Sequence, residues 1–153
     1  HIDYMFIKFI IALTILYNNS VFAETYIKDL EIVNDIGTSV YFKVEVATKR
    51  NDQIKGLMFR EHLDNDEGML FLFETEKNAK FWMKNTYIPL DIIFINKNGT
   101  VNNVISNTKP LSLKSIKSKG KVLAVLELNA GEIEANKIGY KSIIKLKDII
   151  YDN

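Results

Sequence analysis

"LDIIFINKNGTVNNVIS", residues 90–106, predicts the β-hairpin around which the rest of the fold is arranged. Two apolar runs flank the pair Asn98-Gly99. Asn-Gly is the pair that best supplies the positive φ angles of a two-residue hairpin turn. The stretch therefore places two antiparallel strands side by side, with Gly99 at positive φ between them.

Outward from this hairpin, the pattern is again that of short strands. In "TSVYFKVEVATK", residues 38–49, apolar side chains fall at every second position, which is typical of a half-buried strand. A turn at residues 34–37 predicts an opening hairpin with the apolar run before it. The remaining apolar runs predict strands at residues 69–73, 80–86, 122–131 and 142–151.

Two short segments change to a helical period. In "NDQIKGLMFR", Ile54, Leu57 and Met58 fall at positions i, i+3 and i+4, and Asn51 is the expected cap. The stretch "EIEANKIGY", residues 132–140, predicts a second short helix. The fold class expected is therefore mainly β (α+β), a small antiparallel sheet or partly open barrel with one or two short helices.

The first 23 residues resemble an export signal that follows a few upstream residues. Met5 is the expected start, and Lys8 precedes an apolar run from Phe9 to Tyr17. Small residues at Val21 and Ala23 predict cleavage after Ala23. We expect residues 24–153 to form one exported domain, periplasmic or extracellular, and an uncleaved signal anchor is the alternative.

Charge and cysteine content narrow the classes of function. The sequence has a formal net charge of +1 and no cysteine. Binding to nucleic acid needs a clustered basic surface, so no nucleic acid is expected, and membrane association is expected only with an uncleaved signal. The lack of cysteine excludes a disulfide framework, a thiol nucleophile and a zinc ribbon. No cofactor and no metal site are predicted.

Four ordered stretches carry a family resemblance. "GLMFREHL", "GMLFLF", "FWMKNTYIPLDIIFI" and "AVLELNAG" resemble the domain of unknown function 192 family of prokaryotic proteins, over about residues 40–148. The resemblance implies a compact, mostly β domain, often behind an export signal. The family has no agreed activity, so the resemblance implies no catalytic residues.

Charged residues within the apolar strands are the candidates for a site. Seven aromatic residues lie between residues 59 and 94, which indicates either a core or a concave pocket with a few polar groups. Asp91 and Glu127 are single acids among apolar neighbours, where an unpaired carboxylate is costly. Arg60 and Lys84 are the candidate partners. We expect these four to converge on a binding site walled by Trp82.

Other readings of the same residues stay open. Asp91 and Asn85 suit turns, because both side chains commonly bond nearby backbone, and Arg60 would then only lock the helix to an acid. His62 in its polar loop suits a solvated side chain. The acids at residues 64–67 lack the spacing of the helix-loop-helix calcium site.

Two hypotheses of function follow from these residues. The favoured one is a non-enzymatic domain that binds a small molecule or an envelope protein through the aromatic and charged surface of residues 60–94. The alternative is a hydrolase or lyase that acts on a cell-envelope substrate with Asp91 and Glu127 as acid and base. The sequence has no Gly-rich phosphate loop and no HExxH motif, which favours binding.

Overall fold

The computed structural model describes residues 25–151, so the predicted signal segment lies outside the described residues. The chain opens with the expected hairpin, in which β1 (Tyr26–Val33) pairs antiparallel with β2 (Ser39–Ala47). Asn34 fixes the turn, because its Oδ1 accepts hydrogen bonds from the backbone amides of Ile36 and Thr38. This is the local bonding that makes asparagine a turn residue.

The first helix is present but shorter than the apolar period predicted, because it ends before Leu57 and Met58. It is α1 (Arg50–Lys55), a helix whose N-cap is Lys49 without a side-chain cap bond. The expected Asn51 cap is wrong by two positions.

Two long strands, β3 (Glu67–Phe81) and β6 (Ile116–Asn129), form the centre of the sheet. β3 runs parallel to β2 and antiparallel to β6. The prediction of separate strands at residues 69–73 and 80–86 is therefore wrong. The polar stretch between them belongs to the strand because Lys77 and Asn78 pair with β6 beyond a register shift. The chain leaves the sheet after Phe81.

The hairpin at residues 90–106 is confirmed with a different turn. β4 (Leu90–Ile95) pairs antiparallel with β5 (Val101–Ile105), and Gly99 has φ of 86°. The loop is longer than two residues, because the amide of Asn96 bonds the carbonyl of Thr100 and the amide of Gly99 bonds the carbonyl of Asn96. The turn places a positive φ at Gly99 and a bulge in the register.

The C-terminal segment contains two short helices and a two-residue strand. α2 (Glu132–Ala135) is the second predicted helix, followed by β7 (Ile143–Ile144) and α3 (Leu146–Tyr151). The strand predicted at residues 142–151 is wrong beyond Ile144, because Leu146 and Ile149 are buried at a spacing of three, which is a helical period.

The seven strands form a sheet that is nearly closed into a barrel. Their order is β5-β4-β6-β3-β2-β1-β7. β7 pairs with β1 on one side, and on the other it meets the β4–β5 turn through a bridge between Thr100 and Ile143. The amide of Ile144 also donates to the carbonyl of Gly99 at 2.8 Å. The seam thus closes the sheet with few bonds, and the predicted fold class is confirmed.

Apolar residues collect on the two faces of this sheet. One cluster draws on all seven strands and on α2 and α3, and it includes Leu30, Val44, Leu126 and Ile149. The other lies on the outer face of β3, β4 and β6 under α1 and its following loop, and it includes Leu57, Phe71 and Phe94. Among the three helices of residues 25–151, none is long and apolar enough to cross a membrane.

Candidate functional site

A cavity of about 710 Å³ opens on the outer face of the sheet, beside the second apolar cluster. Its walls are aromatic. The lining residues come from α1 and its following loop, from β3, from the loop after β3, from the segment just before β6, and from Glu127 of β6. The aromatic members are Phe71, Phe73, Phe81 and Trp82.

A bend in β3 builds the aromatic wall. Phe71 and Phe81 are ten positions apart, which in a straight strand is about 33 Å. Their ring centroids lie 4.9 Å apart in an edge-to-face arrangement. The bend coincides with two register shifts against β6, between Leu72 and Lys77 and between Asn78 and Lys80. Irregularities of this kind bend a strand, and here they return the strand end to its own middle.

The helix α1 covers one side of the cavity because Gln53 ties it to two strands. The Nε2 of Gln53 donates to the carbonyl of Ala47 at 3.0 Å and to that of Leu72 at 2.9 Å. Gly56 then passes close to the wall, and a Cβ there would lie 3.2 Å from the ring of Phe71. The close approach explains a glycine at this position.

Glu127 is the acidic group of the cavity. Its side chain is buried, and burial raises the pKa of its carboxyl to about 8. No residue of the described chain donates a hydrogen bond to that carboxyl. The Oγ of Ser115, which also lines the cavity, is buried and likewise has no partner within residues 25–151. The site thus holds two polar groups that the described protein leaves unpaired.

Cations surround the cavity. The lining residues include Arg50, Lys55, Lys77 and Lys80, whereas Glu127 is the only acid among the described residues that line it. Lys77 covers an aromatic wall, with its Nζ 4.0 Å from the ring centroid of Phe73. The four cations are exposed, so positive charge lies at the edge and the carboxyl lies deep.

Asp91 lies on the other face of the sheet. In the β4–β6 register Asp91 is opposite Leu128, whereas Glu127 is opposite Ile92, and neighbouring positions point to opposite faces. Its Oδ1 accepts a hydrogen bond from the amide of Asn107 at 2.8 Å, and its Oδ2 accepts two at 3.0 Å from Gly131 and Ile133. Asp91 therefore ties two loops together.

The expected convergence of four charged groups is accordingly wrong, and so is the pairing of Asp91 with Glu127 as acid and base. Arg60 binds both carboxylate oxygens of Glu45, with Nη2 2.7 Å from Oε2. The hydrogen bond to Arg60 lowers the pKa of Glu45, and the bond to Glu45 raises the pKa of Arg60. Lys84 lies over the Trp82 ring, 5.0 Å from its centroid. Of the predicted residues, only Trp82 and Glu127 line the cavity.

Sequence reasoning missed Gln53 and Ser115. Gln53 read as an ordinary residue of a short helix, and Ser115 read as part of a loop rich in lysine and serine. Ser115 could have been found from its position in the sequence, since it immediately precedes the long strand that carries Glu127. His62 contacts Asp64 at 2.6 Å in an exposed loop, and residues 25–151 contain no group of three possible metal ligands.

Comparisons with known proteins agree with this architecture. The model of the DUF192 family, described as "Uncharacterized ACR", matches residues 32–145. A crystal structure from Sinorhizobium meliloti 1021, provisionally assigned as a transcription regulator, is 33% identical with a TM-score of 0.78, and the match covers 80% of this chain and 95% of that chain. A protein of unknown function from Novosphingobium aromaticivorans DSM 12444 is 37% identical with a TM-score of 0.75, covering 78% and 84%. No curated protein matches the chain.

Proposed function

This chain belongs to the DUF192 family, and we propose that it is an exported domain that binds a small, largely apolar molecule in the cavity beside Glu127. The ligand carries an acidic group that meets the cations at the cavity edge. Its apolar body lies against Phe71, Phe81 and Trp82, and a polar group reaches Glu127 or Ser115.

The observation that carries this proposal is the unpartnered carboxyl of Glu127 in an aromatic cavity. Buried polar groups in proteins are nearly always hydrogen-bonded, and an exception calls for an explanation. The buried Oγ of Ser115 is such an exception beside Glu127, and leaving such a group without a partner costs roughly 1–3 kcal/mol. A ligand that bonds the Ser115 hydroxyl and the Glu127 carboxyl offsets that cost. Concave apolar pockets with a few polar groups are the usual form of small-molecule sites.

The protonation state of Glu127 defines which ligands fit. Because burial raises its pKa to about 8, the carboxyl is neutral at pH 7 and offers both an O–H donor and a carbonyl acceptor. A neutral carboxyl does not repel an anionic ligand, and the exposed cations Arg50, Lys55, Lys77 and Lys80 attract one. The neutral carboxyl inside the cavity and the cations at its edge therefore both favour an anionic ligand.

Two alternative functions, an acid and base enzyme and a transcription regulator, fit the structure less well. The acid and base pair of the hydrolase or lyase hypothesis lies on opposite faces of the sheet. Transcription regulation, assigned provisionally to the Sinorhizobium protein, commonly uses a helix in the DNA major groove. The helices of residues 25–151 have six, four and six residues, which is about one turn and a half at most.

Binding is tested with 1-anilinonaphthalene-8-sulfonate, an aromatic sulfonate whose fluorescence rises in apolar sites. We expect saturable binding to the folded protein, lost in Ser115→Leu, whose side chain enters the cavity. Affinity should fall as the pH rises through 8, because ionised Glu127 repels the sulfonate. Glu127→Gln should bind without that pH dependence.

The matched control is Asp66→Asn, an exposed acid outside the cavity, which should keep the wild-type profile. Equal affinity in Ser115→Leu and wild type would contradict the proposal. So would a pH profile that Glu127→Gln does not flatten.

We propose export on the basis of the sequence alone. The apolar run at residues 9–17 and the step to Ala23 predict a mature chain that begins at Glu24. Intact-mass analysis of protein from the extracytoplasmic fraction tests this. A product that retains residues 5–23 would favour the anchor.

A further inference from the structure

Three segments at the cavity mouth expose six large apolar side chains. They are residues 54–59, which begin with the last two residues of α1, and the loop residues 82–87 and 109–114. We call their joint surface the rim. The exposed apolar side chains on it are Ile54, Phe59, Trp82, Tyr87, Leu111 and Leu113. A concentration of this size on adjoining loops is unlike the scattered exposed apolar residues of ordinary surfaces.

Hydrogen bonds and ring contacts make the rim one surface. The amide of Phe59 donates to the carbonyl of Asn85 at 2.8 Å, and the amide of Leu111 donates to that of Thr86 at 3.1 Å. The rings of Phe59 and Tyr87 meet edge to face, with centroids 6.4 Å apart. Residues 82–87 are therefore hydrogen-bonded to both of the other rim segments.

The backbone of the rim is strained where its apolar residues point outward. Phe59 and Leu111 have φ of 66° and 64°, and Asn85 between them has φ of 53°. Phenylalanine and leucine rarely adopt positive φ, and such residues gather at functional sites. Burial does not repay the strain, because the two side chains are 59% and 56% exposed.

The charge of the rim has one sign. Its three segments contain Lys55, Lys84, Lys109 and Lys114 and no acidic residue. All four lysines are exposed, and Lys84 lies over the ring of Trp82. The net charge of +1 for the whole chain therefore conceals a local surplus of positive charge.

We infer that the rim docks on the surface of a bilayer that contains anionic lipids. Tryptophan and tyrosine concentrate at the boundary between lipid and water, and lysines beside them attract anionic headgroups. A protein partner is disfavoured, because protein interfaces are depleted in lysine, which is the only cation of the rim. Docking places the cavity mouth toward the lipid, since Ile54, Trp82 and Leu113 belong to both.

Trp82 provides the test, because it is the sole tryptophan of the sequence. The full chain is mixed with vesicles of equal parts phosphatidylcholine and phosphatidylglycerol, and with phosphatidylcholine alone. We expect a blue shift of Trp82 emission with the mixed vesicles, quenching by brominated acyl chains, and reversal by salt. Insertion of the N-terminal apolar segment alone would bind vesicles without moving Trp82 into lipid.

The decisive variant is Phe59→Asn with Leu111→Asn. Asparagine tolerates positive φ, so the fold should keep its melting temperature, and neither residue lines the cavity. Partitioning to mixed vesicles should fall about tenfold or more, with binding of the anilinonaphthalene probe unchanged. Ile36→Asn is the control, since Ile36 is 64% exposed in the β1–β2 turn, outside the rim segments, and it should partition like wild type.

Three results would overturn the inference. One is the lack of a Trp82 shift with either vesicle. Another is equal partitioning of the asparagine double variant. The third is a dimer in solution that the double variant dissociates, which would assign the rim to a second copy of the chain.

Discussion

Asp91 and Glu127 are both buried acids, on adjacent strands and one register position apart, yet their surroundings are opposite. Their exposures are 1% and 5%, so burial does not distinguish them. Asp91 accepts three backbone hydrogen bonds, whereas Glu127 receives none from the described chain. The environment of a buried charge is thus defined by the donors that reach it.

The two faces explain the difference. The Asp91 face meets two amides at the start of α2 and the amide of Asn107, two residues after β5. The segments on that side of the sheet therefore supply hydrogen-bond donors. The Glu127 face looks into the cavity, whose walls are aromatic rings and whose cations stay at the edge. We therefore assign Asp91 to stability and Glu127 to ligand binding.

The largest effect is expected from Asp91→Ala. Removal of the carboxylate leaves three amides without acceptors, of which that of Ile133 is buried and the other two are partly buried. The free energy of unfolding should fall by roughly 4 kcal/mol. Chemical denaturation measures the loss, and Asp66→Ala, at an exposed acid, should stay within about 0.5 kcal/mol of wild type. A small loss at Asp91 would remove the contrast between the two acids.

Glu127→Gln should instead raise the free energy of unfolding, by an amount that depends on pH. The folded protein holds this proton up to about pH 8, whereas the unfolded chain releases it near pH 4.3. Stability from the protonated group is therefore complete below about pH 4 and is lost as the pH rises through 8. The variant lacks this loss, so its free energy of unfolding should exceed that of wild type by about 3 kcal/mol above pH 8, net of the unpaired amide.

Denaturation of both proteins at pH 4.5 and pH 8.5 measures the difference. If the free energies of unfolding of the two proteins change equally between these pH values, Glu127 has the same pKa in the folded and the unfolded chain. The two acids would then differ only in their hydrogen bonds.

The smallest effect is expected from alanine substitution at two glycines, which compares an open turn with the packed seam. Gly37 and Gly99 have φ of 81° and 86°, so alanine is similarly strained at both. At Gly37 a Cβ meets open space, but at Gly99 it would overlap the carbonyl oxygen of Ile144 at the seam. Gly99→Ala should cost about 2 kcal/mol more than Gly37→Ala. Equal melting temperatures would show a seam loose enough to accept a methyl group.

Local patterns predicted most of the fold, because the signals of turns and strands lie in adjacent residues. The positive φ of Gly99 is confirmed on that ground. The polar residues 74–78 misled the prediction, because an exposed strand and a loop have similar compositions. The alternation of side chains within a strand can also be predicted from sequence, and it places Asp91 on the same face as Ile93 and Ile95.

The site required information that no single segment contains. Whether Asp91 and Glu127 share a face depends on the register between β4 and β6, and a shift of one residue reverses it. The partner of Arg60 is Glu45, on a strand that lies before α1. The cavity depends on the bend that brings Phe81 back to Phe71, and both ends of that bend look like ordinary strand.

The two-residue β7 also bears on how the chain folds and fails to fold. Its partner residues on β1 and at the β4–β5 turn lie far before it in the sequence, so its pairing closes long loops of the chain. Because so few bonds form there, closure adds little to a folding nucleus. A chain that stops before Ile143 should fold into an open sheet with two free edges. Such edges recruit strands from other molecules, so we expect the truncated chain to aggregate more readily than the full chain.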